Sequence, residues 1–258
     1  MKIASSSASF AAALADGSLN QLEWLDLCAA ELELDGVLFD RRHFPRDDAD
    51  YLAELKKMAV DLGLSVAGLV AGDLLAGGGA RRLDEAAALG APLVVFDAPP
   101  ASDAETAWSA FTEALKPLAM SAKAANVTLA LRNGPASLCA DVADCKRLAK
   151  DIDSAWLRFA LDATTLGAFD RTDVLLEKTV IATHAIGDTA TFARDDDPEA
   201  RALLESLAGF RGFVVVDRGA GDGERDAYHH AILRLRALAA RSAIERSDDD
   251  HTAVCMPG

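Results

Sequence analysis

Residues able to carry acid–base, metal or anion chemistry recur at one kind of place in this chain, directly after short apolar runs. Asp40-Arg41-Arg42-His43 follows Gly36–Phe39, Asp97 follows Pro92–Phe96, and Arg132-Asn133 follows Val127–Leu131. Asp162 comes after Leu157–Leu161, His184 closes Val180–His184 with Asp188 soon after, and Asp217-Arg218 ends the run from Phe213. A polar residue is expected wherever a buried strand emerges into water, so each alone says little. Asp162, His184 and Asp217 together say more. Two carboxylates and an imidazole converging on one place can hold a divalent cation. They can equally form a hydrogen-bonded network around one histidine, since buried polar groups need partners in any case.

The elements that would position these residues follow from periodicity. Lys2–Ala4 and Leu64–Leu69 join the six runs above to make eight, most of them continuously apolar, as in parallel strands buried on both faces. Segments of helical period separate them. Ser18 with Gln21 suggests a capping box ahead of Leu19–Leu32, and Asp48 or Asp50 caps a helix through Leu62 that Gly63 stops. Arg81–Leu89 ends at Gly90, Ala104–Ala125 contains Pro117, and Asp141–Asp151, Asp173–Lys178, Pro198–Leu207 and Arg225–Ala243 complete the helices.

Eight strands alternating with helices fit a closed barrel or an open doubly wound sheet. The open dinucleotide-binding sheet calls for G-x-G-x-x-G after the first strand. Here that strand leads into Ala4-Ser5-Ser6-Ser7-Ala8-Ser9, without glycine, and Gly77-Gly78-Gly79 has the wrong spacing. The expected fold is therefore a single (β/α)8 barrel over 1–243, with a solvated, flexible tail over 244–258. Reactive residues of such barrels lie at the C-terminal ends of the strands, which is where the polar residues above fall.

The formal charge of −15 argues against a nucleic-acid partner, because phosphate backbones are met by clustered Lys and Arg. Cys28, Cys139, Cys145 and Cys255 show no C-x-x-C spacing and are expected as reduced thiols of a cytoplasmic protein. The apolar stretch Phe10–Ala15 is too short and interrupted for a signal peptide, and no run approaches the ~20 residues that span a bilayer. His229 and His230, adjacent on the last helix, are expected at the surface or in packing.

The ordered motifs resemble those of the xylose isomerase-like TIM-barrel family, which includes sugar-phosphate isomerases and epimerases. The resemblance runs over residues 1–240. It rests on Asp35-Gly36-Val37-Leu38, Leu89-Gly90-Ala91-Pro92-Leu93-Val94-Val95, Val127–Asn133, Phe159-Ala160-Leu161-Asp162, Thr183-His184 and Val214-Val215-Val216-Asp217. It implies one divalent metal held by Glu, Asp, His and Glu from the last four strands, the glutamates also serving as the acid–base pair. Those positions correspond to Arg132, Asp162, His184 and Asp217. Thr165 stands where a further histidine is common, and Ile186 and Gly187 stand where Lys and Asp are common.

Arginine at position 132 is the decisive departure. Changing −1 to +1 about 4 Å from a doubly charged ion, at an effective dielectric of about 20, costs roughly 16 kcal/mol. The sequence therefore predicts no metal cofactor, with Arg132 in the ion's place forking onto Asp162 and Asp217. Were Arg132 to swing outward, Mn or Mg on Asp162, His184 and Asp217 would be the alternative. The expected activity is sugar-phosphate isomerase or epimerase chemistry on a small sugar, acidic sugar derivative or keto acid, by proton transfer through an enediolate. Asp217 is the base, His184 the acid or its orienter, Arg132 the electrophile and Asp162 part of the same cluster. Arg41, Arg42, His43, Asp97 and Asn133 are expected to contact substrate. A barrel without catalysis that binds a sugar-like ligand or a protein partner is the other reading. A metal-dependent nuclease on the same fold is disfavoured by the negative charge and only five histidines. No membrane association is expected, and a homo-oligomer is compatible with the sequence.

Overall fold

The apolar runs become parallel strands that close on themselves. In the computed structural model β1 (Lys2–Ser6), β2 (Gly36–Asp40), β3 (Ser65–Val70), β4 (Leu93–Asp97), β5 (Thr128–Arg132), β6 (Leu157–Asp162), β7 (Thr179–Ile186) and β8 (Phe213–Arg218) form one closed barrel in chain order. β8 pairs with β1 through Lys2–Phe213, Ile3–Val214 and Ala4–Val215. The structure describes residues 1–72, 74–101, 104–163, 165, 174–194, 197–208, 210–218 and 225–254, with side chains to residue 241 except at 104 and 174. Asp173 and Cys255 lie outside that set.

The helices are α1 (Ala11–Asp16), α2 (Gln21–Asp26), α3 (Ala49–Asp61), α4 (Gly79–Leu89), α5 (Ala104–Ala125), α6 (Val142–Ile152), α7 (Val174–Lys178), α8 (Pro198–Ser206) and α9 (Arg225–Val254). Asp48 caps α3 by accepting from the Tyr51 amide, and Asp141 with Asp144 makes a capping box on α6. The cap of α2 differs from the Ser18–Gln21 pair expected. Asn20 accepts from the Leu22 and Glu23 amides while Glu23 returns to the Asn20 amide. The side chain of Gln21 instead donates to the His43 carbonyl. α9 runs past Ala243, where it was expected to end, to Val254. No Gly or Pro interrupts Arg225–Val254, so nothing in the chain breaks the helix there.

Strand alternation sorts the core into two layers. Inside the barrel lie Ala4, Leu38, Val95, Ala130, Ala160 and Val215, among others. Between barrel and helices lie the larger set, with Phe39, Phe96, Leu129, Leu131, Phe159, Val214 and Val216. Alanines interleaved with Leu, Val and Ile fill the barrel's centre while the large aromatic rings pack outside it, so the barrel is a packed core with chemistry only at its mouth.

Candidate active site

Alternation also decides which strand-end residues meet. A side chain two positions beyond an inward one faces inward too. Ser6, Asp40, Asp97, Arg132, Asp162 and Asp217 thus sit one layer above Ala4, Leu38, Val95, Ala130, Ala160 and Val215. They form a ring at the C-terminal mouth, four carboxylates around one guanidinium.

Arg132 is tied to the adjacent strand. Its Nε and Nη2 donate to Asp97 Oδ1 and Oδ2 at 2.7 and 3.0 Å, and the two residues stand in register across β4 and β5. The paired hydrogen bond raises the guanidinium's pKa. Burial opposes that rise, and the charges of Asp97, Asp40 and Asp217 add to it. The expected fork onto Asp162 and Asp217 is therefore corrected to Asp97, whose in-register carboxylate offers both oxygens to the planar donor. Nη1 of Arg132 donates to no described residue.

Asp217 lies deep in the mouth. Its Oδ1 accepts from the Ser6 amide at 3.0 Å and from Ser9 Oγ at 2.8 Å, and Ser9 Oγ accepts in turn from the Arg218 amide at 3.1 Å. Burial pushes the Asp217 carboxyl above the ordinary carboxylate range, against the pull of Ser9, Ser6 and the Arg132 charge. Tyr228, on α9, is buried in the layer between barrel and helices, where its hydroxyl donates to the Val216 carbonyl at 2.6 Å.

Asp40 is buried and holds Arg42 in a fork, 3.1 Å from Nε and 2.5 Å from Nη2. Burial alone would raise its pKa, but hydrogen bonds from Arg42 and the charges of Arg42 and His43 bring it below the usual value. Burial lowers the pKa of His43, whose Nδ1 lies 3.0 Å from Ser7 Oγ, while that hydroxyl accepts from the Asp40 amide at 2.8 Å. Arg41, expected over the substrate, is instead committed to Asp47 and Glu85 at 2.5 and 3.2 Å. Glu85 is buried and draws Arg81 and Arg82 as well, because a buried carboxylate is costly without cations around it. Asn133 joins β5 to β6: its Oδ1 accepts from the Asp162 amide at 3.0 Å, and its Nδ2 donates to Thr165 Oγ1 at 2.9 Å.

His184 goes elsewhere. It shares its strand face with Ala182 and Ile186, which pack against the helices, whereas Ile181 faces the barrel interior. Its ring lies 5.7 Å from that of Phe192, and its Nε2 is 2.9 Å from Glu199 Oε1 on α8. The side chain is only 13% exposed. The expected gathering of His184 with Asp162 and Asp217 is thus corrected. The interior positions near the end of β7 are Thr183 and Ala185, in register with Val215 and Asp217.

These side chains do not fit the divalent ion that the resemblance implies. Arg132 brings positive charge, His184 turns to the outer layer, and two donors occupy Asp217 Oδ1. Among the described residues no three His, Cys, Asp or Glu side chains gather as an ion requires. Ser6, Ser9 and Glu199 were not singled out from the sequence. The serine run after β1 carried a signal, since hydroxyls directly after a barrel strand point to a polar mouth. Glu199 carried one too, in the first turn of a helix opened by Asp197-Pro198.

A closed eight-stranded parallel barrel with its polar ring at the C-terminal mouth defines the class of (β/α)8 proteins whose sites are built from strand ends. The chain belongs to the xylose isomerase-like TIM barrel family, whose model matches residues 28–189. No curated protein sequence matches the chain. Among solved structures it is similar to L-ribulose 3-epimerase, with TM-score 0.72 and 17% identity over 99% of each chain. It is similar to 3-keto-D-glucoside 4-epimerase from E. coli, with TM-score 0.64 and 18% identity over 84% of this chain and 94% of that one. D-psicose 3-epimerase from Clostridium cellulolyticum H10, solved with D-tagatose, gives TM-score 0.69 and 13% identity over 93% and 99%. At these identities the likeness is one of fold. No helix among the described residues is long and apolar enough to cross a membrane.

Proposed function

We propose that the barrel is a sugar isomerase or epimerase acting on a small ketose or keto acid, with Arg132 in place of a metal ion. The observation behind this reading is one ring of strand ends that holds Arg132, forked onto Asp97, together with Asp217, a half-buried carboxylate fixed by Ser6 and Ser9 whose pKa is raised. A raised pKa suits a carboxylate to exchange protons near neutrality. Asp217 takes a proton from the carbon beside a carbonyl, and the C–H electrons form the carbon–carbon double bond of an enediolate. The carbonyl π electrons move to oxygen, where Arg132 Nη1 is the donor available to the new negative charge. A proton delivered to the opposite face of the same carbon by a second group gives an epimer, and one delivered to the neighbouring carbon, with the hydroxyl proton passing to the other enediolate oxygen, gives an isomer. Asp162, on the same interior face, is the second carboxylate for that step. His184 holds the β7–α8 connection through Glu199 and positions the rim. The acidic mouth favours neutral sugars over strongly anionic ones, except where Arg42 or Arg132 meets a carboxylate.

A non-catalytic barrel that binds a sugar-like ligand is the second reading, favoured by the turn of His184 away from the mouth. Incubation with D-psicose, D-fructose, D-tagatose and L-ribulose, followed by chromatography of the products and calorimetric binding, separates the two. Conversion of any of them supports the enzyme. Saturable binding without conversion favours the second reading. Neither binding nor conversion contradicts both for this class of sugar.

A further inference from the structure

Outside the mouth, arginines gather around a cleft between the loop after β7 and the last helix. The cleft has a volume of about 500 Å³ and is lined by Ala193, Arg194, Arg234, Ala237 and Arg241. That size lies within the range of small-molecule sites, roughly 300–1,000 Å³. In a chain of net charge −15, three guanidiniums around one space run against the overall balance. Among the described residues no carboxylate is ion-paired with any of the three. Among the described residues Asp197 is the nearby acid, and its oxygens hold the amides of Ala193 and Glu199; Asp195 and Asp196, next to it in the sequence, lie outside the described residues.

Arg234 is the best placed of the three. Its Nη2 donates to the Thr189 carbonyl at 3.0 Å, fixing the planar group against the loop. Its Nε is buried and no described residue accepts from it. A buried N–H of this kind costs about 1–3 kcal/mol or more when nothing receives it. Burial first, then the charge of Arg194, lowers the guanidinium's pKa, and Asp197 offsets part of that. The cleft thus holds like charges together, which an anion there would offset, whereas the Nε–H, closed off from solvent, is not a donor that such an anion reaches. The small side chains of Ala193 and Ala237 leave the space open.

We propose that this cleft binds a phosphoryl group, free or carried on a small molecule, with Arg234 as its fixed donor and Arg194 and Arg241 closing on it from the exposed rim. A tetrahedral oxyanion suits the site because planar guanidinium forks bind phosphate oxygens in pairs. The site shares no residue with the ring at the mouth, so it stands whatever the mouth does.

Calorimetry at matched ionic strength tests it, with chloride as the balancing salt so that general screening cancels. The probes are inorganic phosphate, D-glucose 6-phosphate and D-glucose, titrated into the wild type and into an R194A/R241A double variant, whose changed residues are exposed. Saturable binding of phosphate or D-glucose 6-phosphate is expected, with none for D-glucose. The double variant should bind at least about tenfold more weakly, the loss of some 1.4 kcal/mol or more. A stronger response to the ester than to free phosphate identifies the carried form, and the reverse identifies the free ion. Absence of saturable binding by either phosphate compound overturns the proposal. So does equal affinity in the double variant, or binding of D-glucose as tight as that of its phosphate.

Discussion

Asp217 shows how one residue's setting creates both a chemical opportunity and a measurable cost. Its folded pKa is raised by burial, so the folded state holds this proton more tightly than the unfolded chain does. Stability from this group is therefore fully present below the ordinary aspartate value and declines as pH rises from about 4 through the raised folded value. Asparagine does not titrate. Urea unfolding of the wild type and Asp217→Asn, compared between pH 4 and pH 8, should show wild type losing ground steadily to the variant as pH rises. A gap that instead widens in favour of the wild type would mean that the carboxylate is stabilised as an anion. The sequence could identify Asp217 and Arg132 because both close apolar runs. It could not identify Asp97 as Arg132's partner, because that depends on the register between β4 and β5, which neighbouring residues in the chain do not encode.

At the scale of the element, position within a strand decides more than residue type. His184 lies in the run expected to form a strand, yet alternation turns it outward. The irregular register between β6 and β7, at Phe159 and Ala160, sets which residues of β7 face in. A shift of one residue exchanges the two faces of a strand, and the sequence Thr179–Ile186 gives no clear alternation to fix it beforehand. The strands themselves were legible, as continuous apolar runs with polar ends. Helix starts were legible where an Asp precedes the apolar period, as at Asp48 and Asp141. The start of α2 was not, because Ser18 and Asn20 are both capping residues with a suitable partner three positions on.

Gly212 is the element-scale test of how β8 is held. A Cβ there would lie 2.2 Å from the Val180 carbonyl oxygen and 2.5 Å from Phe210 Cζ. The first is backbone of β7 and cannot swing aside. Gly212→Ala should destabilise the fold by about 1–3 kcal/mol or somewhat more, the usual cost of forcing extra volume into a packed place. Chemical denaturation measures it. A change under about 0.5 kcal/mol would mean that the β7–β8 edge yields, and that Asp217 is held less firmly than its hydrogen bonds indicate.

For the whole molecule, the barrel follows from simple arithmetic: eight buried runs, helices between them, and no glycine-rich turn after the first. The mouth follows from the same arithmetic applied to alternate residues, which brings Asp40, Asp97, Arg132, Asp162 and Asp217 onto one interior face. What composition and order did not carry was the chemistry of the outer layer, where His184 meets Glu199 and arginines line a cleft beside α9. Those contacts join segments far apart in the fold, and their residue types are common on any surface.

The central claim is that Arg132 and Asp217 together move a proton at the mouth without a divalent ion. Solvent deuterium incorporation tests it most directly, because an enediolate exchanges its carbon-bound proton with the base and the base exchanges with water. D-psicose, D-fructose, D-tagatose and L-ribulose are incubated in D2O with excess EDTA, and the carbon positions beside the carbonyl are followed by NMR. The wild type should wash deuterium into at least one of them. Asp217→Asn should lose about 10²–10⁴-fold in rate through loss of the base, and Arg132→Met about 10²–10³-fold through loss of the donor to the developing oxyanion. Exchange that disappears in EDTA and returns with Mn2+, or that survives unchanged in both variants, would contradict the account.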